Sequence, residues 1–146
     1  MSEVRGIRTG QFQDAEICAN IQNDWIDGVD WVPRIHSRND VVHHYQDFVF
    51  AKRQVWVTGE PAIGYLALDE DEGEITALYV ATPGQGTGKA LLDFIKERHA
   101  ELMLWTFVAN TAARRFYRRE GFEEVTRTNG ENEEGLPDVL LRWARA

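Results

Sequence analysis

Residues Thr82–Leu92 read TPGQGTGKALL, and the purpose of the glycines at 84, 86 and 88 decides the fold. The Gly-Lys step suggests a nucleotide-phosphate loop. Aligned on Gly88-Lys89, however, the P-loop pattern puts Pro83 where its first glycine belongs and Ala90 where it needs the hydroxyl that holds magnesium. The dinucleotide fingerprint G-x-G-x-x-G fails too, because after Gly84 and Gly86 its third glycine falls at Lys89.

On either side of the loop the pattern is regular. EITALYV, Glu74 to Val80, predicts a strand, and Leu91, Leu92, Phe94 and Ile95 mark a helix ending near Ala100. In a strand, glycine loop and helix, glycine lets the backbone approach a ligand, and the helix start offers unpaired N–H groups and a partial positive charge. That is an anion site suited to a pyrophosphate. Without the magnesium-binding hydroxyl, it suits holding a diphosphate handle better than transferring a phosphoryl group.

Further out, Val4 to Ile7 predicts a short strand. Gln13 to Ile26 predicts a helix, with Ala15, Ile17, Cys18, Ile21, Trp25 and Ile26 at helical spacing. Gly28 to Asp40 is irregular, and Val41 to Phe50 predicts a second helix. Gln54 to Thr58 and Ala62 to Leu68 read as a hairpin around Gly59-Glu60-Pro61, and Asp69 to Gly73 as a solvated acidic turn. Leu102 to Val108 reads as a strand buried on both faces. A helix follows from Thr111 to Glu120, with Asn110 as N-cap and Gly121 as its left-handed stop. Phe122 to Thr128 and Val139 to Trp143 complete the sheet. The order β-α-α-β-β-β-α-β-α-β-β is that of a mixed α/β chain, and without an internal linker residues 1–146 are expected to form a single domain.

Composition narrows the function. The chain has 146 residues, enough to bury roughly 68–70% of the unfolded surface. A net charge of -8 and 43% hydrophobic content exclude a disordered chain and a general binder of nucleic-acid backbones. With one cysteine, Cys18, no internal disulfide forms, and that thiol reads as a small core residue. No apolar run approaches the ~18 residues of a membrane span. The expectation is a cytoplasmic protein with no membrane or nucleic-acid partner and no metal, as a monomer or a homodimer.

Two motifs bring a family into view. Gln85-Gly86-Thr87-Gly88-Lys89-Ala90 resembles the Q/R-x-x-G-x-G/A loop of the GNAT superfamily of N-acetyltransferases. Downstream, Asn110, Ala113, Phe116, Tyr117, Gly121 and Phe122 are similar to that family's N-x-x-A-x-x-F-Y-x-x-x-G-F pattern. The resemblance is specific from Glu74 to Phe122, and the element order extends it loosely over the chain. One departure is Pro83, which stands one residue later than the family's usual proline, with Thr82 in its place.

The resemblance implies a GNAT fold: a mostly antiparallel sheet of six to seven strands, about four helices, and two strands splayed around acetyl-CoA. By the same resemblance, the backbone N–H groups of Gln85, Gly86, Thr87, Gly88, Lys89 and Ala90 hold the diphosphate. The main chain of Leu78 and Val80 pairs with the pantetheine arm, and Asn110 bonds that arm or caps its helix. Tyr117 matches the family's general acid for the departing thiolate, the alternative being a ring that packs beside Phe116. Glu74, eleven residues before Gln85, matches the base of the histone acetyltransferase branch, and strand alternation is expected to put it on the face of Leu78 and Val80. The alternatives are the end of an acidic turn, with deprotonation through water or by His36. Many relatives carry an acid where this chain has Ala77.

The acceptor amine is expected at a mouth lined by Trp25, Trp31 and His36 from one stretch and by Glu131, Glu133, Glu134 and Asp138 from another, a mixture that suits a cation. Trp31, His36 and Glu133 are the candidate substrate contacts, each with a structural alternative. The function expected is transfer of an acetyl group from acetyl-CoA to a primary amine of a small molecule or peptide. The alternative is a non-catalytic acyl-CoA binding domain, and Tyr117 and Asn110 favour the enzyme.

Overall fold

A computed structural model describes residues 6–146; Val4, the start of the expected first strand, lies outside the described residues. Seven strands form one sheet: β1 (Ile7–Thr9), β2 (Gln54–Thr58), β3 (Gly64–Asp69), β4 (Glu74–Val80), β5 (Glu101–Phe107), β6 (Glu123–Thr128) and β7 (Asp138–Ala144). Their order is β1-β2-β3-β4-β5-β7-β6. All neighbours are antiparallel except β4 and β5, which run parallel.

Four helices cover the sheet. α1 (Ala15–Gly28) follows a 3-10 turn, Phe12–Asp14. α2 starts at Arg38–His44, widens into a π turn at Tyr45–Val49 and ends in Phe50–Lys52. It begins before Val41 because the Ser37 hydroxyl accepts from the Asp40 backbone at 3.0 Å, an N-cap. α3 (Thr87–Lys96) crosses from β4 to β5, and α4 (Thr111–Arg119) connects β5 to β6. Gly121, at φ 95, ends α4 in the left-handed region expected of it.

The sheet has an apolar layer on each face. Leu66, Leu68, Ile75, Leu102 and Leu104 pack with Leu91, Leu92 and Ile95 of α3 and with Tyr117 of α4. On the other face Val55, Val57, Tyr65 and Ala67 pack with Ala15, Cys18 and Ala19 of α1 and with Tyr45 and Val49 of α2. Each fully buried leucine or isoleucine of α3 contributes about 1.5–3 kcal/mol. Cys18 is part of this core, its thiol pushed up to about 12, first by burial.

Two irregularities position the site. Ala67 pairs with Ala77 but Leu68 with Ile75, so Thr76 is an extra residue in β4, a β-bulge. In β6 the register shifts between Glu124 and Thr126, at Val125, which together with the charges of Glu123, Glu124 and Arg127 keeps this edge from extending the sheet. The expectation that β5 is buried on both faces is corrected: Leu102 and Leu104 are buried, but Trp105 is 40% exposed. The reason is that β5 parts from β4. Among the described residues no helix is long and apolar enough to cross a membrane.

Candidate active site

β4 and β5 pair only at Glu74 and Met103, where the Met103 N–H also donates to the Gly73 carbonyl at 3.0 Å. Beyond that point the strands diverge around a cavity of about 740 Å³. Ile75 to Val80 form one wall, Leu104 to Phe107 the other, and α4 adds Ala113, Phe116 and Tyr117. Tyr117 belongs to the apolar layer under α3 and α4, whereas Tyr79 belongs with α1 and α2. The cavity therefore passes through the sheet from one face to the other.

The ladder decides what β4 offers this cavity. The Ala81 N–H donates to the Ile63 carbonyl at 2.7 Å, and Gly64 pairs with Val80 and Leu66 with Leu78. Hydrogen-bonded and non-hydrogen-bonded pairs alternate along an antiparallel ladder. Tyr79 and Ala77 therefore bond back to β3, and the N–H and C=O groups of Leu78 and Val80 turn to the gap, where an extended arm can pair with them.

At the end of β4, Gly86 is the N-cap of α3 with φ 77, a left-handed conformation that glycine adopts at low cost. The first helical bond runs from the Ala90 N–H to the Gly86 carbonyl at 3.0 Å. That corrects one expectation: the Ala90 N–H is spent inside the helix, and neither Gln85 nor Ala90 lines the cavity, whereas Gly86, Thr87, Gly88 and Lys89 do. The first-turn N–H groups of Thr87, Gly88 and Lys89 carry the anion-binding potential. The Lys89 ammonium is engaged elsewhere, at 3.2 Å from Asp93 and 3.3 Å from Glu120. Glu120, at the end of α4, also receives Lys96 of α3 on its carbonyl and carboxylate, so one residue fastens α4 to α3. Gly64 carries no motif, yet a methyl there would stand 2.8 Å from Thr87 Cγ2 and 3.3 Å from Val80 Cγ1, so it lets α3 settle against β3.

Asn110 lines the cavity and caps α4 at once, its Oδ1 accepting from the Ala113 N–H at 3.1 Å. The oxygen is committed and the amide NH2 keeps its donors. Tyr117 packs as the second of its two readings expects, and it also reaches the cavity. It lies edge-on against Phe116 and Phe122 at 5.1 and 5.4 Å. Burial, and next the nearby Tyr79, raise its hydroxyl well above the ordinary phenol value, so it is protonated at neutral pH.

Glu74 does not line the cavity. The bulge at Thr76 breaks the alternation that was to align it with Leu78 and Val80. Ile75 and Leu78 share the α3 face, so Glu74 falls on the other. Its carboxyl is raised by burial first, then by Asp69 and Glu72, with Arg53 opposing. The carboxylates that do line the cavity are Glu120, Glu134 and Asp138. Asp138 is tied to Thr128 and to Asn132, the latter at 3.2 Å. Glu134 acts on Tyr79, whose hydroxyl burial first and then this charge push up to about 12.

The other candidates lie at the rim. His36 Nε2 is 3.1 Å from a Glu133 carboxylate oxygen, which joins the α1–α2 connection to the β6–β7 connection, and neither side chain lines the cavity. Trp31 packs edge-on between Trp25 and Phe107 at 5.9 and 5.8 Å; Trp25 and Phe107, not Trp31, reach the cavity. Sequence patterns missed Tyr79, Phe107 and Asn132, since only the register and the gap give them a role. Among the described residues no group of three or more His, Cys, Asp or Glu side chains could hold a metal ion.

A splayed pair of parallel strands with gap-facing backbone and a helix start at its mouth can take an extended arm with an anionic head, and the comparisons say which class of enzyme uses such a site. The chain matches the Acetyltransferase (GNAT) domain over residues 48–124 and belongs to that family. It is 29% identical over 126 residues to the peptidyl-lysine N-acetyltransferase YiaC of Escherichia coli strain K12, covering 82% of this chain and 85% of that one. Among solved structures, apo YjaB from Escherichia coli superposes with a TM-score of 0.76 at 20% identity, covering 96% and 97% of the two chains. A ribosomal-protein-alanine N-acetyltransferase from Brucella melitensis gives 0.71 at 19% identity, over 94% and 98%. yncA from Salmonella typhimurium, solved with its cofactor acetyl-CoA, gives 0.68 at 17%, over 96% and 93%. These structures share the fold.

Proposed function

We propose that this N-acetyltransferase moves the acetyl group of acetyl-CoA onto a primary amine of a small molecule or peptide by direct attack, with residues 1–146 working as one domain. The observation that carries the reading is one continuous cavity. It is bordered in turn by the first-turn N–H groups of α3, the gap-facing backbone of Leu78 and Val80, and the phenol of Tyr117.

Each residue has a task in this reading. Thr87, Gly88 and Lys89 hold the diphosphate through backbone N–H groups, and the amide NH2 of Asn110 holds the pantetheine arm. Tyr117, protonated at neutral pH, gives its proton to the departing thiolate. The amine loses its proton to water held by Glu134, in place of Glu74, the carboxylate first expected as base. Trp25, Tyr79 and Glu134 suit a cationic acceptor, and the peptidyl-lysine activity of the relative makes a lysine side chain the first acceptor to try. All these groups come from one chain, so the reading serves a monomer or a homodimer. We place it in the cytoplasm, where a free thiol such as Cys18 stays reduced.

The test is acetyl-CoA-dependent thiol release with lysine peptides, polyamines, amino acids and peptide N-termini as acceptors. Release with at least one amine is expected. Tight acetyl-CoA binding without release for any of them would replace the enzyme with an acyl-CoA binding domain of the same fold.

A further inference from the structure

Residues 129–137 separate β6 from β7, where a turn of about two residues could join antiparallel strands. None of them belongs to either apolar layer, so hydrogen bonds set their path. Asn132 is the centre of that bonding. Its Nδ2 donates to the Leu136 carbonyl at 2.8 Å and to Oδ2 of Asp138 at 3.2 Å, and its Oδ1 accepts from the Leu136 N–H at 3.2 Å. Both hydrogens of the amide are thereby used. The Asn132 carbonyl accepts from the Gly135 N–H at 3.1 Å, which closes a turn with Glu133 and Glu134 in the middle. Gly130, at φ 109, passes so near that a Cβ there would stand 2.8 Å from the Gly135 carbonyl oxygen. The Val108 N–H donates to the Pro137 carbonyl at 2.9 Å and ties the connection to the end of β5, a wall of the cavity.

This turn sends its two carboxylates to different places. Glu133 goes outward to His36, and Glu134 lines the cavity. The other cavity carboxylates are engaged: Glu120 with Lys89 and Lys96, and Asp138 with Thr128 and Asn132. Glu134 alone of the three has neither hydrogen bond nor ion pair among the described residues, although it is half-buried. A carboxylate kept partly out of water without a partner is costly unless a ligand supplies the partner. Beside it stand the aromatic rings of Trp25 and Tyr79, which suit a cation.

We propose that Glu134 is the acceptor-binding residue that draws the acceptor's ammonium group into the cavity, and that Asn132 is a positioning residue that fixes the turn from which Glu134 reaches it. On a free connection of this length, every binding event would have to order the chain around Glu134. With Leu136 gripped on both its N–H and its carbonyl, that ordering is complete before the acceptor arrives. The inference rests on the amine-acetylation reading above.

The experiment measures binding of two ligands to the protein saturated with coenzyme A, a complex that cannot react. One is Nα-acetyl-lysine amide. The other is Nα-acetyl-norleucine amide, which has the same carbon chain without the amine. The wild type should prefer the lysine amide, Glu134→Gln should reduce that preference about tenfold, and Asn132→Ala several-fold, with coenzyme A affinity unchanged. The Asn132→Ala/Glu134→Gln double variant should show no less preference than Glu134→Gln alone, since Asn132 acts through Glu134. Four results each overturn the proposal: no preference in the wild type, an unchanged preference in Asn132→Ala, additive losses, or a parallel loss of coenzyme A. Equal weakening of both amides in Asn132→Ala also overturns it, because a merely loosened loop does not read charge. Thiol release is scored separately: its absence for every amine overturns the acetyl-transfer reading, while the binding series still judges Glu134 and Asn132.

Discussion

The side-chain oxygen of Asn110 accepts the Ala113 N–H at 3.1 Å, while the same side chain lines the cavity. Two substitutions separate its tasks. Asn110→Asp keeps an oxygen for the cap and removes the amide donors, so stability should hold while acetyl-CoA binds several-fold more weakly. Asn110→Ala loses the cap as well, about 1 kcal/mol. Calorimetric titration and thermal melts distinguish the two; equal acetyl-CoA affinity in both variants and the wild type removes Asn110 from the cofactor site.

Tyr117→Phe keeps the ring against Phe116 and Phe122 and deletes the proton. The expectation is a fall in kcat of about 10²-fold or more, with acetyl-CoA affinity nearly intact. Turnover at the wild-type rate assigns Tyr117 to packing alone.

Gly86→Ala meets open space but imposes φ 77 on a residue with a Cβ, at a cost of about 1–2 kcal/mol. The helix start should shift, the melting temperature drop and acetyl-CoA bind more weakly. Lys89→Ala breaks an exposed pair with Asp93 and one with the largely buried Glu120, which Lys96 still holds, and should leave affinity within about threefold. A larger loss at Lys89 than at Gly86 would show that the ammonium, not the backbone, grips the diphosphate.

Glu134→Gln should slow turnover, with partial recovery as pH rises and more of the amine is already neutral. Glu74→Gln, outside the cavity, should leave kcat within about twofold. The opposite ranking in a pH-rate series returns the base to Glu74.

Arg8 holds Asp14 through two bonds of 2.9 and 3.0 Å, and that hydrogen bonding, chiefly, lowers the Asp14 carboxyl below its usual range. A lowered folded value means the folded state binds this proton less tightly than the unfolded chain. The stabilisation is therefore complete above about pH 4 and is lost as pH falls through the folded value below it. Asp14→Asn should cost about 1.5–3 kcal/mol at pH 7, and the deficit should shrink toward pH 2 in denaturant melts. A deficit independent of pH assigns the loss to packing.

Most of the fold was legible because it follows from local rules. The glycine loop, the Asn110 cap, the Gly121 stop and the helical spacing of Leu91, Leu92 and Ile95 are each written within a few residues, and the element order follows from them. What was not legible depends on partners distant in sequence. Nothing around Thr76 announces a bulge, since the extra residue exists only relative to β3, yet it turns Glu74 away from Leu78. The gap beside β5 is likewise a property of two strands, so LMLWTFV read as buried on both faces although Trp105 faces open space. Trp31 and His36 had the right chemistry for a substrate mouth. The structure spends one on aromatic packing and the other on Glu133.

The bridge at Glu120 acts over a longer distance than its bonds. By fastening the end of α4 to α3, it ties the helix that carries Tyr117 to the helix that starts at the glycine loop. Under the proposed function that tie sets the span from phosphate grip to phenol. An acyl carrier would then be read by its length, and a thioester on a shorter or longer arm than pantetheine would stop out of reach of Tyr117.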